Sequence, residues 1–187
     1  AFANPQNSLQ IQNQLARFML EQGDATFNET LRKDLITRTQ KSQDIFWNHY
    51  LSWFYVQQKE YGKAFIQQKA IYKRNPQTFS NIVNLAQLAI EEGDKETAKE
   101  IFQFVLENTK DLELLIQSHT YLMKMRIDST TEKEYTVVAS ELDLLLKEFG
   151  ISPYSLSLQI LQAHFSTFYL KNSETGKSIL KTALNLP

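Results

Sequence analysis

The chain has no cysteine among its 187 residues, which removes disulfides, thiolate nucleophiles and the commonest structural zinc sites. Glycine and proline are scarce, five and four residues, whereas an all-β or doubly wound fold needs more turn residues. Histidine is limited to His49, His119 and His164, too scattered for an all-histidine metal site. No apolar run reaches the ~18 residues of a membrane-spanning helix. Neither sign of charge dominates: 20 Lys and Arg balance 21 Asp and Glu, so the basic surplus that a nucleic-acid grip requires is missing. What is present is 42% hydrophobic residues over a length that suits one domain or one array of repeats. These bounds favour a water-facing, mostly helical chain with no metal, cofactor, nucleic-acid or membrane-insertion requirement.

Self-similarity is the strongest positive signal. Leu15-Ala16-Arg17-Phe18-Met19-Leu20-Glu21-Gln22-Gly23-Asp24 returns as Leu85-Ala86-Gln87-Leu88-Ala89-Ile90-Glu91-Glu92-Gly93-Asp94. Between them, Leu51-Ser52-Trp53-Phe54-Tyr55-Val56 holds the same register, with Leu15, Leu51 and Leu85 separated by 36 and 34 residues. The second half of each unit repeats as well. Tyr61-Gly62-Lys63-Ala64 maps onto Lys95-Glu96-Thr97-Ala98, and Glu174-Thr175-Gly176-Lys177 echoes Glu96-Thr97-Ala98-Lys99. Residues 45–76 carry Leu51, small Ser52, Tyr55, Tyr61, Ala64, Ile71 and a closing Pro76. Residues 79–110 carry Leu85, small Ala86, Ala89, Gly93, Ala98, Phe102 and Val105 without the closing proline.

A two-helix unit with this period and these positions resembles the tetratricopeptide repeat. The resemblance implies an all-α solenoid of about five antiparallel helix pairs, a right-handed superhelix forming one repeat domain over 1–187. Its units would be 5–40, 43–76, 77–110, 111–149 and 153–187. Small residues at Ser52, Ala86, Ala64 and Ala98 would let the helices of a pair approach, and large ones would plug the groove to the next pair.

Local signals place the helices. Pro5, Pro76 and Pro153 sit where a helix start or stop tolerates proline. Gly23-Asp24 and Gly93-Asp94 put glycine at a helix end and aspartate at the next N-cap, and Ser42 reads as another N-cap. The expected helices are 5–22, 24–40, 43–58, 60–74, 77–92, 94–108, 111–126, 131–149, 153–171 and 173–185. Ile127-Asp128-Ser129-Thr130-Thr131 reads as a Ser/Thr-rich connection, with a change of pitch or a protrusion beside it, and Gly150 ends the long helix that follows.

Nothing assembles a catalytic site. The acidic residues gather at helix ends, as in Glu91-Glu92-Gly93-Asp94, where they cap and solvate, and no phosphate loop or nucleophile turn occurs. His119 and His164 read as packed histidines. The function expected is therefore non-catalytic: a protein–protein interaction scaffold that holds a peptide or another subunit in a concave groove lined by first helices. The residues expected there are Asn13 and Arg17; Phe46, His49, Tyr50, Trp53 and Gln57; Asn84 and Gln87; Gln117 and Tyr121. Aromatics and amides with little charge suit a peptide surface. A lone Arg does not suit RNA. Lysines that some tetratricopeptide domains use to clamp a terminal carboxylate are missing from it.

Two other readings stand beside this one. The helices containing Leu156, Leu158, Ile160, Leu161, Phe165, Phe168, Tyr169 and Leu170 are apolar nearly all round, so a further repeat, a domain or a second copy is expected to pack there. The segment would then stack on the remainder of a longer chain, in an assembly role or as an accessory to a C-terminal catalytic domain. Ala1-Phe2-Ala3 has the small-x-small form that precedes a signal-peptidase cut, which leaves export to the periplasm or cell envelope open alongside a cytoplasmic location.

Overall fold

The computed structural model describes residues 8–22, 25–76 and 78–186. Pro5, Gly23-Asp24 and Ala1-Phe2-Ala3 lie outside the described residues. Every regular element among the described residues is helical: α1 (Ser8–Gln22), α2 (Ala25–Lys41), α3 (Ile45–Gln57), α4 (Tyr61–Arg74) and α5 (Ser80–Glu91) come first. They are followed by α6 (Lys95–Asn108), α7 (Leu112–Asp128), α8 (Tyr135–Phe149), α9 (Leu156–Phe168) and α10 (Ser173–Leu184). The all-α expectation holds, and the period of 34 is legible in the helix ends, since Gln57 and Arg74 recur as Glu91 and Asn108. The chain separates into two compact units, Ala1–Thr97 and Ala98–Pro187, with the division inside α6.

Caps set the helix ends. Asp44, not Ser42, is the N-cap of α3: its Oδ1 accepts from the Phe46 N–H, while Ser42 Oγ accepts from the Asp44 N–H. The serine is displaced because aspartate stands one residue before the helix, where a carboxylate meets the orphan N–H groups and the positive end of the dipole. Asp94, Asp111 and Asn172 cap α6, α7 and α10 in the same way. The turns into α4, α6 and α10 share a second device. Lys59, Gly93 and Lys171 each lie two residues before the next helix, and all have positive φ, 57°, 88° and 57°. In the first two the hydrogen bonds are also the same, Glu60 N–H to Tyr55 O and Asp94 N–H to Ala89 O. Pro76 follows α4, and Pro153 opens the short 3-10 turn Pro153–Ser155 that leads into α9.

In the first unit, α3 is held from both sides. Asn48 donates to Gln67 and accepts from Arg74, and Ser52 Oγ donates to the Ala64 carbonyl at 3.3 Å while accepting from Gln68. These pairings join the start of α3 to the middle and end of α4, and the middle of α3 to Ala64 and Gln68 nearer the middle of α4, a helical hairpin whose close approach depends on Ser52 and Ala64, both buried. On the other flank Arg38 of α2 lies 4.6 Å over the Trp47 ring. The turn after α3 meets the turn after α5, with Lys59 paired to Glu92. An exposed pair of this kind contributes only ~0–1 kcal/mol, so it marks the register more than it holds it.

In the second unit Met123, Ile127, Val138, Leu142, Leu161 and Phe165 form one buried cluster drawn from α7, α8 and α9. Ile127 therefore belongs to α7, which continues through Asp128 and leaves residues 129–131 as the connection. The expected connection began two residues too early, because Ser/Thr composition is a local signal and the burial of Ile127 is not. A 3-10 turn at Glu132–Glu134 follows, capped reciprocally by Thr131 and Glu134. Gly150 ends α8 with φ 73° and its N–H on the Leu146 carbonyl. At the start of α9, Gln159 is fully buried and donates to the Ser152 carbonyl and to Ser155 Oγ, tying the helix to the turn before it. The α9–α10 pair meets at Gly176: a Cβ there would stand 2.0 Å from Thr167 Oγ1 and 3.0 Å from the Ala163 carbonyl.

Candidate functional site

A cavity of about 410 Å³ in the first unit lies between α3 and α5. Its polar lining is Gln12, His49, Ser52, Gln68, Asn81 and Asn84. Val56, Leu85 and Leu88 supply an aliphatic wall, and the half-buried Trp53 stands between the two surfaces. The arrangement follows from helix periodicity. His49, Ser52, Trp53 and Val56 recur at three- and four-residue steps on one face of α3, and Asn81, Asn84, Leu85 and Leu88 do so on α5. Gln68 enters from α4, oriented by its Nε2 bond to Ser52.

Three residues expected from the sequence, His49, Trp53 and Asn84, are thus brought together around one cavity. The others are not among its lining. Tyr50 is 1% exposed, packed against Phe46 and Trp53, and is a core residue instead of a groove residue. The reason is that α3 is flanked by α2 and by α4, so the face carrying Tyr50, Leu51, Phe54 and Tyr55 has no access to solvent. Phe46 is half-buried and meets the Trp47 ring edge-on at 5.1 Å. Asn13, Arg17 and Gln57 are exposed and Gln87 is half-buried. In the second unit Tyr121 stacks on Phe102 at 4.7 Å, and Gln117 is half-buried.

Sequence reasoning missed Gln12, Ser52, Val56, Gln68, Asn81, Leu85 and Leu88. Ser52 and Leu85 were absorbed into the packing pattern, and Gln68 sits on a second helix, which a first-helix groove excludes. Asn81, three residues before Asn84, was visible as a same-face partner.

His49 also lines a smaller cavity, about 70 Å³, with Gln68 and Asn81. Burial holds its imidazole below the ordinary histidine range, with Asp44 pulling weakly the other way. His119 is likewise lowered by burial against the opposing charge of Glu148, and packs 5.5 Å from the Phe149 ring. His164, expected to be packed, is exposed and lines a second-unit cavity of about 440 Å³. The groove there runs between Lys124, Ile127 and Asp128 of α7 and Ile160, Leu161 and His164 of α9. It lies past Tyr121, toward the C-terminal end of α7.

Chemically, the α3–α5 cavity can accept and donate hydrogen bonds and can bury hydrocarbon. Among the described residues no group of three or more histidines or carboxylates is placed to hold a metal ion, and no helix is long and apolar enough to cross a membrane. No family model, no curated protein and no solved structure matches the chain.

Proposed function

We propose that the chain is a non-catalytic interaction scaffold, a tetratricopeptide-like solenoid of about five antiparallel helix pairs that holds a peptide segment or a protein subunit along the faces of its first helices. The recurrence of helix ends at 34 residues, the shared positive φ at Lys59, Gly93 and Lys171, and the small-residue contacts at Ser52–Ala64 and Gly176 support the repeat reading. The observation that carries the binding reading is the α3–α5 cavity itself. It places an aromatic anchor, Trp53, between amides and an aliphatic wall, the composition of a recognition surface with a central anchor and a polar surround.

The test is capture of partners from a source lysate by the purified chain beside its Trp53→Ala variant. An anchor in a groove should cost ~2 kcal/mol or more of binding on truncation while the melting temperature changes little. A variant that melts lower but retains its partners would place Trp53 in the packing only and remove the cavity from the binding surface.

A second reading, in which α9 and α10 stack on another copy or another domain, is favoured by their exposed apolar residues, Ile160, Phe168, Leu180 and Leu184. It uses a different surface and does not exclude the first.

A further inference from the structure

The groove between α7 and α9 carries opposite charges toward its two ends and hydrocarbon between them. One contact fixes its direction. Thr120 Oγ1 and Ser157 Oγ lie 3.0 Å apart, and every other lining residue follows that contact in sequence. The two helices therefore run the same way along the groove, with Lys124 level with Leu161 and Asp128 level with His164 and Phe165. Ile127 and Leu161, both buried, make the floor, and Ile160 stands exposed beside them.

Lys124 Nζ lies 5.4 Å from the centre of the Tyr121 ring, one turn back toward the Ser157 end. Asp128 stands one turn forward, at the end where His164 and Tyr169 meet edge-on at 5.9 Å. Lysine before aspartate is also the weaker order for a helical pair four residues apart. The groove thus offers an ammonium and a carboxylate about seven residues apart along α7, roughly 10 Å. Its volume, about 440 Å³, is that of a small-molecule site.

A ligand with one charge satisfies one end only. A fatty acid with its carboxylate at Lys124 would drive its alkyl end against Asp128, and an alkylamine seated at Asp128 would do the same at Lys124. A peptide laid along the groove would set its amides against Ile127, Ile160 and Leu161, which bond none of them. Hydrocarbon between two opposite charges meets every part of the lining. The Tyr169 ring adds a π face at the end where the ligand's cation would sit.

We propose that the α7–α9 groove binds a linear zwitterion of the ω-amino carboxylate class. Its carboxylate sits at Lys124 and the Ser157 hydroxyl, its methylene spacer on Ile127 and Leu161, and its ammonium between Asp128 and Tyr169. The site lies in the second unit and shares no residue with the α3–α5 cavity, so it stands apart from the docking reading. A staggered carbon chain advances about 1.25 Å per bond, so a span of roughly 10 Å corresponds to about six to eight methylenes.

The experiment is calorimetric titration of the full chain with straight-chain ω-amino carboxylates of about three to eleven methylenes, beside alkanoates and alkylamines of matched length. Affinity should peak near six to eight methylenes, and each singly charged counterpart should bind about tenfold more weakly. Lys124 and Asp128 are exposed, so their substitution should leave the melting temperature unchanged. Lys124→Gln should bring the best amino carboxylate down to the level of the alkylamine, and Asp128→Asn should bring it down to the level of the alkanoate. Affinity that climbs steadily with chain length and ignores the second charge would overturn the proposal, leaving an apolar groove with a charged rim. Binding that survives both substitutions would overturn it by placing the ligand elsewhere. No saturable heat from any member up to roughly 10 mM would overturn it outright.

Discussion

Lys171 occupies the left-handed region at φ 57°, where Gly93 serves in the corresponding turn. A side chain there carries a steric cost of ~1–2 kcal/mol, partly offset because glycine loses more backbone freedom on folding. Lys171 is exposed, so Lys171→Gly should stabilise the chain by about 0.5–1 kcal/mol, read as a higher urea midpoint at unchanged slope. Lys59 shares the conformation, but its pairing with Glu92 would be lost in the same substitution, so a smaller gain is expected there. The histidines give a pH-dependent counterpart. His49 and His119 titrate in the unfolded chain near 6.5 and lower in the folded one, chiefly because burial disfavours the charged imidazole. Below 6.5 the unfolded chain binds more protons. Stability should therefore fall as pH drops from about 6.5 toward the lowered folded values, then level off in these two contributions. Urea midpoints at about pH 7.5 and 5.5 should differ more in wild type than in a His49→Gln, His119→Gln variant. An equal difference in both would show that other groups dominate.

At the scale of elements, the helices are specified by their ends and paired by their smallest residues. Asp44, Asp94, Asp111 and Asn172 each cap a helix; of these only Asp94 was read as a cap from the sequence, which placed the cap of α3 at Ser42. The pairing of α9 with α10 turns on Gly176. Gly176→Ala forces a methyl group against Thr167 and the backbone of Ala163, and should cost about 1–3 kcal/mol, the usual range for overpacking. A Gly176→Ala, Thr167→Ala double variant should recover part of the loss, since the hydroxyl is removed and the Ala163 carbonyl remains. A double variant no better than the single would place the conflict wholly in the backbone. Gly176 stands where Ala98 stands in the segment it echoes, and the local packing depends on that small residue.

For the whole molecule, the relevant feature is apolar surface left uncovered. Ile160 and Phe168 are 50% and 60% exposed, and Leu184 is 83% exposed, while Leu158, Leu161 and Phe165 of the same region are buried. The pattern expected for α9, apolar nearly all round, therefore divides into a packed face and an open one. The chain should bind a hydrophobic dye or self-associate in a concentration-dependent way, and Ile160→Lys with Phe168→Lys should abolish either. A strictly monomeric wild type that binds no dye would remove the stacking reading. Since the groove assigned to peptide binding lies in the first unit, the same double variant should leave capture by the α3–α5 cavity unchanged.

From the sequence alone one can read the helical class, the 34-residue period, most helix ends and the small residues at the close approaches, because each rests on short-range physics. Side-chain periodicity, cap hydrogen bonds and the steric freedom of glycine act over a few residues, and a linear chain displays them openly. The sequence also displayed three residues of the cavity, His49, Trp53 and Asn84, as same-face polar or aromatic positions on first helices. Which aromatic of α3 faces a cavity and which enters the core was not legible. Tyr50 and Trp53 are three residues apart on one helix, and only the positions of α2 and α4 around that helix bury the first and leave the second half-open. The same holds for Gln68, delivered by the partner helix of the hairpin, and for Ile127, kept helical by burial against α8 and α9 in spite of the Ser/Thr run beside it. Exposure is decided by neighbours remote in the chain, so the elements belong to the sequence and the site to the tertiary packing.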